Sequence, residues 1–116
     1  MSEIKISVGG DLEAEANRRF AEAWHRAERG ELFHERHLAF ENWDTLARVL
    51  TAKRLDILRH VHGHATTSIR ALAKALQRDY SNVHADVQAL TSAGLLDVSK
   101  GAVRVDYDSI ETKIAI

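Results

Sequence analysis

The sequence predicts an α+β fold, mostly helical, in which a winged helix-turn-helix follows an N-terminal strand-helix-strand extension. Three observations carry this: two amphipathic helical patterns meet at a tight turn between Ser68 and Leu90, two short strand patterns flank Lys100-Gly101, and alternating apolar residues open the chain. Helix, helix, hairpin is the order of a winged helix.

At the start, Ile4, Ile6 and Val8 alternate with Lys5 and Ser7, a strand ended by Gly9-Gly10. Asp11 then caps a helix with the apolar stripe Leu12, Ala16, Phe20, Ala23, Trp24 and Ala27, and Gly30 stands just past its end. A short strand is expected around His37-Leu38-Ala39-Phe40. Asn42 caps a further helix with Trp43, Leu46, Ala47 and Leu50 at i, i+3, i+4, i+7 spacing. By spacing, Phe20, Trp24, Phe40 and Trp43 are core candidates.

Thr51 is the cap of the next helix, which runs to about Val61 with Gly63 near its end. The pair that follows commits Ile69, Leu72, Ala73 and Leu76 on its first helix, and Val83, Val87 and Leu90 on its second, to a core. Gly94 suits a left-handed C′ position, and Leu95–Ser99 and Ala102–Asp106 are the strands of the wing. Ile110 and Ile114-Ala115-Ile116 alternate like a final strand. The expected organisation is therefore an extension over residues 1–47 for partner binding and dimerisation, a winged helix-turn-helix over 48–106, and a C-terminal strand over 107–116. Neither terminal strand stands alone, so each must pair with the other, with the strand near Leu38, or with a second chain. A two-fold dimer through these ends is expected.

Composition bounds the function. The chain has 116 residues, 45% of them hydrophobic, enough for a core. It has no cysteine, which excludes disulfides and thiol nucleophiles. It shows no apolar run long enough to span a bilayer and no signal-peptide pattern, so a cytoplasmic protein without membrane association is expected. The net charge of −1 hides an uneven distribution: residues 1–47 carry −4, residues 48–84 carry +5 and residues 85–116 carry −2. Arg48, Lys53, Arg54, Arg59, Arg70, Lys74 and Arg78 make the middle basic, where DNA phosphates would lie.

The second helix of the pair is informative by angle. At 100° per residue, Val87 and Leu90 fall within about 40° of Val83, while Ser81, Ala85, Gln88 and Ser92 lie nearly opposite, flanked by Asn82 and His84. A helix that merely faced water would carry Glu and Lys there. The predicted contacts to duplex DNA are Ser81, Asn82, His84 and Gln88 at base edges or adjacent phosphates, with Arg70, Lys74, Arg78, Lys53 and Lys100 on the backbone.

Ser68-Ile69-Arg70-Ala71-Leu72-Ala73, Arg78 to His84, Asp86-Val87, Ala89-Leu90 and Gly94-Leu95-Leu96 resemble MarR-type winged-helix regulators. More narrowly, with Leu50 to Arg54, Val8-Gly9-Gly10 and Arg104 to Ile110, nearly the whole chain resembles a family of small prokaryotic DNA-binding proteins. That resemblance implies a DNA-binding repressor, the antitoxin of a toxin–antitoxin pair, commonly encoded beside a toxin of the TumE kind, and autoregulating its operon. Ser81 and Ala85 stand where such relatives often carry longer, basic residues, which implies fewer phosphate and guanine contacts. The acidic residues 1–47 would then take the toxin.

Other classes are weighed against this. A winged helix also serves as a protein-interaction module without DNA binding; the basic middle and the Ser81/His84/Gln88 face count against it. His60-Val61-His62-Gly63-His64, or His34 with His37, could suggest a metal, but His60 and His62 point about 160° apart on a helix and no ligand set is completed, so no metal and no cofactor are expected. No phosphate loop, nucleophile elbow or His-Glu-x-x-His occurs, and Asp106 with Asp108 read as turn residues, so no enzyme is expected.

Overall fold

The computed structural model describes residues 2–31 and 35–116. The elements in order are β1 (Glu3–Val8), α1 (Leu12–Glu28), β2 (Glu35–Phe40), α2 (Trp43–Val49), α3 (Ala52–Gly63), α4 (Ile69–Leu76), α5 (Tyr80–Ser92), β3 (Asp97–Ser99), β4 (Ala102–Arg104) and β5 (Ser109–Ile114). The fold is α+β and mostly helical. The chain divides into a first unit, residues 1–46 with 108–116, and a second, residues 47–107.

In the first unit, β1 is the centre of a parallel sheet of order β2-β1-β5. Of the pairings open to the terminal strands, both intrachain ones are made: Ile4 registers with Arg36 on β2 and with Ile110 on β5. Ile4, Ile6 and Val8 are buried on one face of β1. Strand alternation puts Lys5 on the other face, level with His37 and Glu111.

α1 begins at Asp11, whose side chain accepts from Ala14 N–H, a cap worth about 1 kcal/mol. The helix turns its charged side to the charged sheet face: Glu15 lies 3.9 Å from Lys113, and Arg26 3.6 Å from Glu35. Most of the apolar stripe predicted to be core is therefore outside: Ala16, Phe20, Trp24 and Ala27 are exposed, and only Leu12 and Ala23 are half-buried. No residue of α1 is buried, Phe20 is 72% exposed and Trp24 58%. Trp43, at the start of α2, is 52% exposed, so it too is corrected from core to surface, while Leu46 three residues on is buried. Periodicity groups residues on one face; the charge of the apposed sheet decided which face turns in.

In the second unit, Thr51 and Ser68 cap α3 and α4 by accepting from Arg54 N–H and Ala71 N–H. Ile57, Leu58 and Val61 of α3, Leu72 and Ala73 of α4, and Val83, Val87 and Leu90 of α5 are buried with Leu95, Leu96, Val103 and Tyr107. Truncating one of the larger of these to Ala costs about 2–5 kcal/mol. α5 ends as expected, with Gly94 at φ +85° and Leu95 N–H donating to Leu90 O at 2.9 Å. The Tyr107 hydroxyl donates to Leu95 O at 2.6 Å and closes the core beside the β3–β4 hairpin.

Candidate nucleic-acid interface

The connection between α4 and α5 is three residues long and contains no glycine. Gln77 takes the left-handed conformation at φ 54°, Arg78 N–H donates to Ala73 O at 3.0 Å and Gln77 N–H to Lys74 O at 3.1 Å, so two of the four terminal carbonyls of α4 are satisfied. Asp79 then caps α5 by accepting from Asn82 N–H at 3.2 Å. With the helix start fixed and Val83, Val87 and Leu90 inward, its outer side is determined: Ser81, Asn82, Ala85, Gln88 and Ser92 are exposed and His84 is half-buried. This is the phase expected from periodicity.

One cluster joins α4 to that surface. The Arg70 guanidinium lies over the Tyr80 ring, 4.6 Å from its centroid, and the Tyr80 and His84 rings are 5.7 Å apart. A cation held over an aromatic face gains about 0.5–1 kcal/mol at an exposed site and loses freedom there. Tyr80 was absent from the residues expected to make contacts. Its signal was available: an aromatic residue at the first helical position, one residue before Ser81, has no core face to join.

Arg78 has a different occupation from the backbone contact expected of it. Its Nη2 donates to Asp86 Oδ2 at 2.7 Å, and the other oxygen of Asp86 accepts from Arg54 Nε at 3.0 Å. Arg54 Nη1 also donates to Arg48 O at 2.8 Å and to Val49 O at 2.9 Å, the carbonyls at the end of α2. One carboxylate thus ties α5 to the start of α3 and to the turn before α5 itself. Burial alone raises the Asp86 pKa, but the hydrogen bonds from Arg78 and Arg54 outweigh it and hold the carboxyl below its ordinary range. Two of the seven central cations, Arg54 and Arg78, are consumed by Asp86, and Arg59 lies 3.7 Å from Asp56 on its own helix.

The remaining cations differ. Lys53 on the first turn of α3, Lys74 on α4 and Lys100 at the hairpin tip are exposed, and among the described residues no carboxylate pairs with them. Lys100 and Gly101 sit at φ 52° and 82°, both left-handed, as a two-residue hairpin turn needs. Among the described residues, no hydrogen bond, ion pair or ring contact links Lys53 or Lys100 to the Arg70–Tyr80–His84 cluster. His60 and His64 stack at 4.9 Å, and among the described residues no group of three potential ligands could hold a metal ion. His34 lies outside the described residues. No described helix is long and apolar enough to cross a membrane.

The fold and this surface define a small α+β chain with a three-helix unit, a hairpin and an exposed, acid-free helix face. Residues 49–112, more than half of the chain, match the HVO_A0114 family, and the chain belongs to that family. No curated protein matches, and no solved structure does.

Proposed function

We propose that the chain is a sequence-specific duplex-DNA-binding transcriptional repressor whose unit 47–107 is a winged helix-turn-helix. The observation that carries this reading is the outer side of α5, where Ser81, Asn82, Ala85, Gln88 and Ser92 are exposed with no acidic residue among them. Short hydrogen-bonding side chains suit base edges in a major groove. Arg70, held over Tyr80, and the unpaired Lys53, Lys74 and Lys100 suit phosphates, which repel the carboxylates that this side lacks. In this reading Arg78 positions α5 through Asp86 and makes no phosphate contact.

A protein partner belongs to the same proposal. Phe20 and Trp24 are exposed on α1 with Glu13 and Glu28 also exposed along it, and among the described residues no cation pairs with either carboxylate. An apolar patch with acidic neighbours suits a basic protein, as a toxin acting on RNA would be. An autoregulating antitoxin combines both surfaces.

The test is a mobility-shift titration on the gene's own promoter at several salt concentrations. The logarithm of the binding constant should fall against log salt by about 0.9 per phosphate contact. Absence of a shift at low salt, with and without the neighbouring gene product, would leave the second unit as a protein-interaction module.

A further inference from the structure

Among the described residues, β2 and β5 each pair on one side only, with β1, so the sheet of the first unit has two open edges. An open edge is a template for another strand, and most edges are protected by charge, proline or cover. β5 has no proline and little cover: Ile114 is 48% exposed and Glu111, Thr112 and Lys113 are exposed. Its hydrogen-bonding phase follows from one bond. Ala115 N–H donates to Val8 O at 3.0 Å, so alternation turns the N–H and C=O of odd-numbered β5 residues toward β1. The backbone groups of Ile110, Thr112 and Ile114 therefore face the open edge.

We propose that a second copy of this chain occupies that edge, β5 pairing antiparallel with its own copy about a two-fold axis between the two Thr112 residues. The strand is self-complementary in this register. Ile110 falls opposite Ile114 of the second copy, on the face that carries Ile4, Ile6 and Val8, and Glu111 falls opposite Lys113 of the second copy on the charged face. The hydrogen-bonding phase agrees, because Ile110, Thr112 and Ile114 become the pairs that exchange both backbone bonds. Glu111 and Lys113 become the closer, non-bonded pairs where opposite charges interact best.

The registers nearest to this one, and those centred on β2, are less complementary where they oppose like charges or a charge and an apolar residue. A two-fold axis at Glu111 or Lys113 sets like charges against each other. At the β2 edge, an axis at His37 sets Arg36 against Leu38, and an axis at Leu38 sets Arg36 against Phe40. Two copies so joined suit a palindromic operator, a use that rests on the DNA reading above; the pairing itself does not.

Sedimentation equilibrium of the full chain without DNA tests it, so that its outcome is independent of DNA binding. The expected mass is twice 13.0 kDa. Thr112→Pro removes an N–H that points away from β1 and should give a monomer with an unchanged circular dichroism spectrum. Glu111→Lys and Lys113→Glu each set like charges opposite one another twice per dimer and should weaken dimerisation about tenfold, whereas the double exchange E111K/K113E should restore it. A monomer at every concentration overturns the proposal. So does a dimer indifferent to Thr112→Pro and to both single charge changes, which would place the second copy elsewhere, for instance on the exposed side of α1.

Discussion

Arg54 Nε and Asp86 Oδ1 lie 3.0 Å apart, joining the first turn of α3 to the middle of α5 across 32 residues of sequence. The direction of α5, and with it every side chain on its outer side, depends on this half-buried pair. Asp86→Ala leaves Arg54 and Arg78 without their acceptor. It should destabilise the chain by about 2 kcal/mol, between the values for exposed and buried pairs, as read from the urea midpoint. A midpoint within experimental error of the parent would mean that the helices hold α5 without the carboxylate.

Gln88 and Lys100 should fail in different ways. Gln88→Ala, on the outer side of α5, should cost about 1–3 kcal/mol on the operator alone. Lys100→Ala should weaken operator and random DNA alike and reduce the salt slope by roughly 1. Competition titrations with the two DNAs measure both, and an unchanged operator-to-random ratio for Gln88→Ala would remove it from the base-reading residues.

The exposure of α1 is testable without any partner. Phe20→Ala and Trp24→Ala should each shift stability by less than about 0.5 kcal/mol, since neither side chain leaves a cavity. Had the stripe been core, each would cost about 3–5 kcal/mol. Thermal unfolding separates these outcomes, and capture of the neighbouring gene product by the same variants should be lost.

His37 gives the first unit a pH dependence of definite sign. Burial, and then the nearby Arg19 charge, lower its pKa below the ordinary 6.5, against the opposing pull of Glu35. The unfolded chain therefore takes up a proton at a pH where the folded chain does not. Stability should fall as the pH drops below about 6.5 and stop falling, as far as this group is concerned, below the depressed folded value. Trp24 and Trp43 fluorescence during urea unfolding reports it, and His37→Gln should flatten that part of the profile.

What was legible in the sequence was local. The caps Asp11, Asn42 and Thr51, the left-handed Gly94 and the phase of α5 follow from interactions within a few residues, which a pattern of types and spacings encodes. Long-range choices were not legible. That Ile4 would sit between Arg36 and Ile110 depends on strands far apart in the chain, and three pairings satisfied the same alternation. Which face α1 turns inward depended on a sheet whose charged face could not be drawn before its strands were ordered. Arg78 looked like a phosphate contact because its partner, Asp86, lies eight residues on, in the helix that follows, and is invisible to a count of charges by segment.

Because β1 takes its two neighbours from opposite ends of the chain, synthesis imposes an order on folding. All of residues 47–107 are contiguous, so the second unit has every one of its internal partners before β5 has left the ribosome. Until then one side of β1 has no strand to bond to, and its even-numbered backbone groups face solvent. Helices α3 to α5 are thus ready before the sheet, which is sealed only when β5, the strand with the self-complementary edge, joins β1. On the proposed pairing, a chain whose β5 has not yet emerged has no such edge to offer, so two copies pair only after β5 has joined β1.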